Sequence, residues 1–233
     1  MASTGNRASR RRAYFIEDTV DVLRKLIVRL AIFVIMLGLL FAVGVYFAKK
    51  STPIALKKIE SAPRTMLVSD LTGEQLAELL LACDPDFYTH KGHSFHAPGF
   101  RTITQRLVEQ YYFKQYQPWL EMVPGTIDAH ELNNRMSKDG QLLVFLNTTP
   151  FGTSREHDVR GFQEAAQYFF DKKFRELNRD EYISILAMLA DPEKYHIQAE
   201  ALANIDRANR LKKMLDGKCR ATSFLDVELK NCK

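Results

Sequence analysis

The sequence predicts a mostly α-helical domain carried behind a single N-terminal membrane-spanning helix. Three observations carry that expectation: a nineteen-residue run without charge near the N-terminus, a succession of apolar stripes at helical spacing after it, and cap residues where those stripes begin and end. The 233 residues are 46% apolar and 26% charged, which excludes a disordered chain, a collagen-like repeat and a disulfide-dense scaffold. The net charge of +5 comes from 33 Lys and Arg against 28 Asp and Glu, and much of the excess sits at Arg7, Arg10, Arg11 and Arg12. Positive charge on a tail, with the rest near balance, speaks against nucleic-acid binding, which uses a basic patch on the folded domain.

From Leu30 to Ala48 the chain reads LAIFVIMLGLLFAVGVYFA. At about 1.5 Å per residue this run nearly matches the hydrocarbon core of a bilayer. A core helix apolar on every side would need a larger protein around it. Tyr46-Phe47-Ala48-Lys49-Lys50 is a poor signal-peptidase site, so the run is expected to be an uncleaved anchor. Arg10, Arg11, Arg12, Arg24, Lys25 and Arg29 precede it, against Lys49, Lys50, Lys57 and Lys58 after it. That bias places the N-terminus in the cytoplasm and the residues from about Lys49 onward in the other compartment, which in a bacterium is the periplasm or outer surface; the expected topology is single-pass in the inner membrane, with the domain in a periplasmic space that permits disulfides. The expected segments are 1–29, a cytoplasmic basic stretch; 30–48, the span; 49–68, a proline-punctuated linker; 69–217, the folded domain; and 218–233, a C-terminal tail.

Within the domain, Thr72-x-x-Gln75 is a capping box opening a run through Leu76, Leu79 and Leu80. Ile103, Leu107 and Tyr111 recur every four residues. Phe162, Ala165, Ala166, Phe169 and Phe170 follow the amphipathic pattern, and Tyr182, Ile185, Leu186 and Leu189 repeat it behind the cap pair Asn178 and Glu181. Leu202, Ile205, Ala208, Leu211 and Leu215 form a last stripe, closed by Lys212, Lys213 and Gly217. Leu225-Asp-Val-Glu-Leu229 alternates like a strand.

Four short motifs then line up in order. Cys83-Asp84-Pro85-Asp86-Phe87-Tyr88-Thr89-His90-Lys91-Gly92 is followed by Gly99-Phe100-Arg101-Thr102-Ile103-Thr104-Gln105-Arg106-Leu107-Val108-Glu109-Gln110. Ser137-Lys138 with Phe145-Leu146-Asn147 and Phe151-Gly152 comes next, and then the stretch from Gly161 to Lys172. Together they resemble the peptidoglycan glycosyltransferase domain, glycosyltransferase family 51, of monofunctional transglycosylases and class A penicillin-binding proteins. The resemblance implies a lysozyme-like, two-lobed helical domain against the membrane, and in active members the polymerisation of lipid II. It also implies substrate contacts from His90, Thr102, Thr104, Gln105, Arg106, Ser137, Lys138 and Asn147.

Sugar transfer of this kind uses two carboxylates, one taking a proton from the attacking hydroxyl and one assisting the leaving group. The family glutamate of the first motif is Cys83 here, and counting back without gaps from Ser137-Lys138 puts Gly125 at the second. Asp84 is a nearby acid, but one helical residue turns a side chain by about 100°. Glu121, Asp128 and Glu131 reach the second position only if the alignment shifts. The family lysine of the second motif is Glu109, an anion in place of a phosphate-gripping cation, with Arg101 and Arg106 as new cations nearby. Nine residues separate Gly92 from Thr102 where the family has about two dozen, so one helix of the mobile lobe is expected to be missing.

His90, His93 and His96, with Cys83, Asp84 and Asp86, are zinc-ligand types, but the spacing is loose and Gly92 and Pro98 make it a loop, so no metal and no cofactor are expected. Cys219 and Cys232 are expected to be bridged, the alternative being two free thiols. The functional expectation is a catalytically degenerate envelope protein that binds lipid II, glycan or a protein complex, with one helix in the bilayer and no nucleic acid. The alternative is a divergent, active glycan polymerase.

Overall fold

The computed structural model describes the backbone of residues 5–113, 118–153, 158–223 and 225–232, and their side chains except those of 5–21 and 118–120. The basic side chains of Arg7, Arg10, Arg11 and Arg12 therefore lie outside the described residues. The chain divides into two compact units, Met1–Phe47 and Ala48–Lys233.

In the first unit, helix α1 (Gly5–Glu60) exposes Leu30, Ile32, Phe33, Ile35, Leu39 and Phe41 on all sides. It is long and apolar enough to cross a membrane. A helix with no polar face and no protein around it is at home in hydrocarbon.

The second unit begins inside the same helix. Residues 49–68, expected to be a linker, are helix as far as Glu60, with Pro53 inside. Ala48, Thr52, Ala55 and Ile59 are buried and fall on one helical face, and their burial outweighs the missing N–H of the proline. The helices α2 (Gly73–Cys83), α3 (Ile103–Tyr112), α4 (Pro118–Arg135), α5 (Lys138–Thr148), α6 (Phe162–Phe170), α7 (Arg179–Met188) and α8 (Ala201–Leu215) follow. The unit is mostly α. The Thr72/Gln75 and Asn178/Glu181 boxes close as the sequence reads them, the caps accepting the Gln75 N–H at 3.1 Å and the Glu181 N–H at 3.0 Å. α3 packs on α4 and α5, α7 on α8, and α2 on α8.

The core centres on a run of aromatic rings. Phe162 meets Phe145, Phe151 and Phe174 at 6.0, 5.1 and 6.2 Å, and Phe174 meets Tyr182 at 5.8 Å. Most of these contacts are edge-on, the arrangement favoured by ring quadrupoles. The buried Tyr182 hydroxyl donates to the Gln75 carbonyl at 2.7 Å, fastening α7 to the start of α2.

Two further features depart from expectation. Pro150–Thr153 (β1) and Asp158–Arg160 (β2) form a short antiparallel ribbon that no alternation announces. Leu225–Leu229 is turns, not a strand, because the Asp226 carboxylate accepts the N–H of Thr222 at 3.2 Å and of Lys230 at 2.9 Å, curling the chain around itself. A disulfide joins Cys219 to Cys232 across that tail, with Cα atoms 5.5 Å apart, and Cys83 is a free, buried thiol.

Candidate functional site

The first motif starts at the last residue of α2. Cys83 is 1% exposed, its thiol donates to the Leu79 carbonyl at 3.0 Å, and burial pushes the thiol pKa up to about 12. It is therefore a protonated, inward-facing group with neither thiolate character nor access. Asp84, the next residue, is 0% exposed. Its carboxylate accepts the Ile103 N–H at 2.9 Å, which binds the end of α2 to the first turn of α3, where unpaired N–H groups favour an anion. It also meets His90 Nε2 at 2.9 Å.

The His90 ring settles its own tautomer. Nδ1 accepts the Gly92 N–H at 2.9 Å, so Nε2 carries the proton that points to Asp84. Lys138 Nζ lies 3.4 Å from the same Nδ1 and 4.7 Å from the centre of the Phe87 ring. Burial lowers the Lys138 amine to about 8, against the pull of Asp84. Asp84, His90 and Lys138 form one line from the core to the surface, at whose outer end the lysine can donate to an anion. Asp84 itself is held by two fixed donors, the Ile103 N–H and the His90 Nε2–H.

The turn after His90 depends on glycine. Gly92 has φ +104°, and a Cβ there would lie 2.5 Å from the Ala129 carbonyl oxygen. The loop thus rests directly on α4, the helix that carries Gly125. Gly125 is buried, and no side chain reaches out from it. Glu131 pairs with Arg135 at 2.6 Å, and Glu121 is partly buried in the first turn. Asp128 accepts from the Ser51 hydroxyl at 3.4 Å, and burial raises its carboxyl to about 6.

The other residues expected to touch substrate are largely occupied. Thr102 caps α3 and donates to the Gly92 carbonyl at 2.8 Å, and Gln105 completes the capping box with it. Thr104 is buried and donates to Gln141 at 2.6 Å. Ser137 caps α5. Asn147 is 3% exposed and saturated by Thr65, Met66 and Leu143. Arg106 donates to the Leu189 carbonyl at 2.9 Å, and Arg101 is spent on Glu109. Of these positions, His90 and Lys138 come together around Asp84. The rest hold the scaffold. The sequence reading undervalued Asp84, whose place at a helix end before another helix's cap was its one signal.

The three histidines of the loop diverge. His90 meets Asp84, His96 Nδ1 meets Asp86 at 2.5 Å, and His93 stands edge-on to Phe95 at 6.5 Å.

Comparison with known proteins gives a consistent picture. The transglycosylase family model matches residues 94–216, beginning just after the first motif. The chain is 25% identical to penicillin-binding protein 1B of Escherichia coli (strain K12) over 170 residues, 66% of this chain and 20% of that protein. It is 26% identical to penicillin-binding protein 4 of Bacillus subtilis (strain 168) over 174 residues, 67% of this chain and 27% of the relative. A biosynthetic peptidoglycan transglycosylase of Acinetobacter baumannii is 26% identical over 97 residues, 42% of this chain and 41% of that protein. The matched region thus spans about a fifth of the length of penicillin-binding protein 1B.

Proposed function

The chain belongs to the transglycosylase family, and on that premise we propose that it is an anchored bacterial envelope protein that has lost glycan polymerisation and acts by binding. It sits in the inner membrane by one helix with its module in the periplasm, and its ligand is lipid II, glycan or a protein of an envelope complex.

The observation that carries this reading is Cys83. The position where the family resemblance requires a glutamate base holds a buried thiol with a pKa pushed up to about 12, turned to a carbonyl of its own helix. Losing a general acid or base typically costs about 10² to 10⁴ in rate. Two neighbouring acids are engaged elsewhere: Asp84 is held by Ile103 and His90, and Glu131 by Arg135. Gly125 supplies nothing at the second position, and Glu109 is neutralised by Arg101 where the family has a free cation. Lys138 remains as a half-buried amine beside His90 and the Phe87 ring, a cation suited to an anionic ligand.

The test is to reconstitute the full chain in liposomes with lipid II and look for polymer. No polymeric glycan is expected. Robust polymerisation would overturn the reading and assign the proton transfers to Asp84, Glu121 or Glu131.

A further inference from the structure

A cavity of about 660 Å³ opens between the end of α2, the loop around Phe95, helix α8 and the disulfide-closed tail. Asp84, His90 and Lys138 do not line it. Its size falls in the usual range for small-molecule sites, about 300 to 1,000 Å³. Most of the wall is apolar, with Leu81, Phe95, Leu211, Met214, Val227 and Leu229 among the lining residues.

Into this wall is set one buried cation. Arg207 lines the cavity and is 5% exposed. Its Nη1 donates to the Val227 carbonyl, and the guanidinium lies 5.1 Å from the Tyr195 ring centre. Its Nε is buried with no hydrogen-bond partner, and Glu228, the carboxylate that attracts the guanidinium, is paired with Lys194. The neighbouring Arg210 has Asp206. Asp226, the one acid on the wall, has its carboxylate taken by Thr222 and Lys230. A buried charge whose attracting carboxylate is spent on a lysine, and a buried N–H without an acceptor, are each costly. With Nη1 engaged and Nε enclosed, Nη2 is the donor left to meet a carboxylate in the cavity with a charge-assisted bond. A second arginine, Arg220, stands exposed on the same wall.

We propose that this cavity binds an amphiphilic carboxylate, an unbranched apolar chain ending in a single carboxyl group that pairs with Arg207. The chain lies along Leu211, Met214 and Val227. Because Val227 and Leu229 belong to the tail between Cys219 and Cys232, the disulfide holds one side of the site in place.

The test uses the full chain in phosphatidylcholine nanodiscs, titrated with carboxyl-¹³C octanoate and, separately, with 1-octanol, with empty discs as the reference. Octanoate is expected to show a bound carboxyl resonance and to bind about tenfold or more tighter than the alcohol, the worth of a charged hydrogen-bonded pair. Arg207→Gln should bring the acid down to the level of the alcohol. Ala82→Phe, which fills the wall and leaves Arg207 alone, should weaken both ligands, and it keeps the proposal testable if Arg207→Gln fails to fold. Equal binding of acid and alcohol, octanoate binding that neither substitution changes, or no binding of either ligand overturns the proposal.

Discussion

Met66 and Asn147 are bonded at both edges of one side-chain amide: the Met66 N–H donates to Oδ1 at 2.9 Å, and Nδ2 donates to the Met66 carbonyl at 2.8 Å. Thr65 adds its own N–H to Oδ1 at 2.7 Å. The asparagine at a family substrate position therefore anchors the segment that leaves α1 to helix α5.

Asn147→Ala leaves the buried Met66 N–H and carbonyl, and the part-buried Thr65 N–H, without this partner. The expected cost is about 2 kcal/mol or more, a fall in Tm of about 4 to 8 °C for a unit of this size. Thermal melts of the purified variant measure it. A variant that melts like the parent would return Asn147 to ligand binding.

Cys83 is expected to resist alkylation by iodoacetamide in the folded protein and to react once the chain is denatured, because the attacking species is the thiolate. Cys83→Glu places a carboxylate in a fully buried site beside the Asp84 carboxylate, and the nearby Arg106 is already bonded to the Leu189 carbonyl. It should lower stability by several kcal/mol, on the order of 3, and yield no glycan polymer. Mass spectrometry of the labelled peptide and a lipid II assay report the two outcomes.

The Asp128 carboxyl stands at about 6 in the fold, above its ordinary value of 3.8, through burial. A raised acid favours the protonated native state. The stability it contributes is full below about pH 4, is lost as pH rises toward 6, and is absent above. Since the group is partly exposed, the size is on the order of 1 kcal/mol. Asp128→Asn should stabilise the protein by that amount at pH 7.5 and flatten its stability between pH 4 and 6, read by urea unfolding at several pH values. An unchanged pH profile would remove Asp128 from the account.

A reporter active only outside the cytoplasm should be active when fused after Lys233 and silent when fused near Arg12. Peptide mapping without reductant should then recover Cys219 joined to Cys232 and Cys83 alone. Reduction of that thirteen-residue link is expected to cost about 3 kcal/mol. The opposite reporter pattern would place the tail in a reducing space and undo both expectations.

The helices that announce themselves do so by local chemistry. Thr72 with Gln75 and Asn178 with Glu181 are caps that need only neighbours three residues away, and the stripe on α6 shows its buried face; on α8 the stripe holds only from Ala208 and Leu211, since Leu202 and Ile205 are exposed and Asn204, Arg207 and Arg210 are buried. Pro53 hid the continuation of α1, since a proline's local cost is visible in sequence and the burial of Ala55 and Ile59 is not. Alternation at Leu225–Leu229 misled because Asp226 bonds to backbone N–H groups four residues away on either side. The candidate site was legible as a set of positions but not as a set of roles. Thr102, Thr104 and Asn147 fit the motifs, yet their hydrogen bonds are satisfied by Gly92, Gln141 and Met66, partners from 10 to 81 residues away. The buried cation at Arg207 had no sequence signal, because the groups around it come from Tyr195, α8 and the tail.

The joint between α1 and the body also has a mechanical meaning. A pull along the chain from α1 loads two fastenings in series. The first is the packed helical turns, where Tyr112 donates to Thr52 at 3.0 Å and Ile59 is buried. The second is the Asn147 amide, which grips the strand of chain at Met66 from both sides and so resists sliding as well as peeling. Gly161 backs that grip, since a Cβ there would lie 2.6 Å from the Asn147 carbonyl oxygen and would push the helix end out of place. A tethered module built this way transmits tension into α5 and α6 rather than yielding at its root. Stretched in single-molecule pulling, it should hold until the Met66 fastening fails and then unravel from that end.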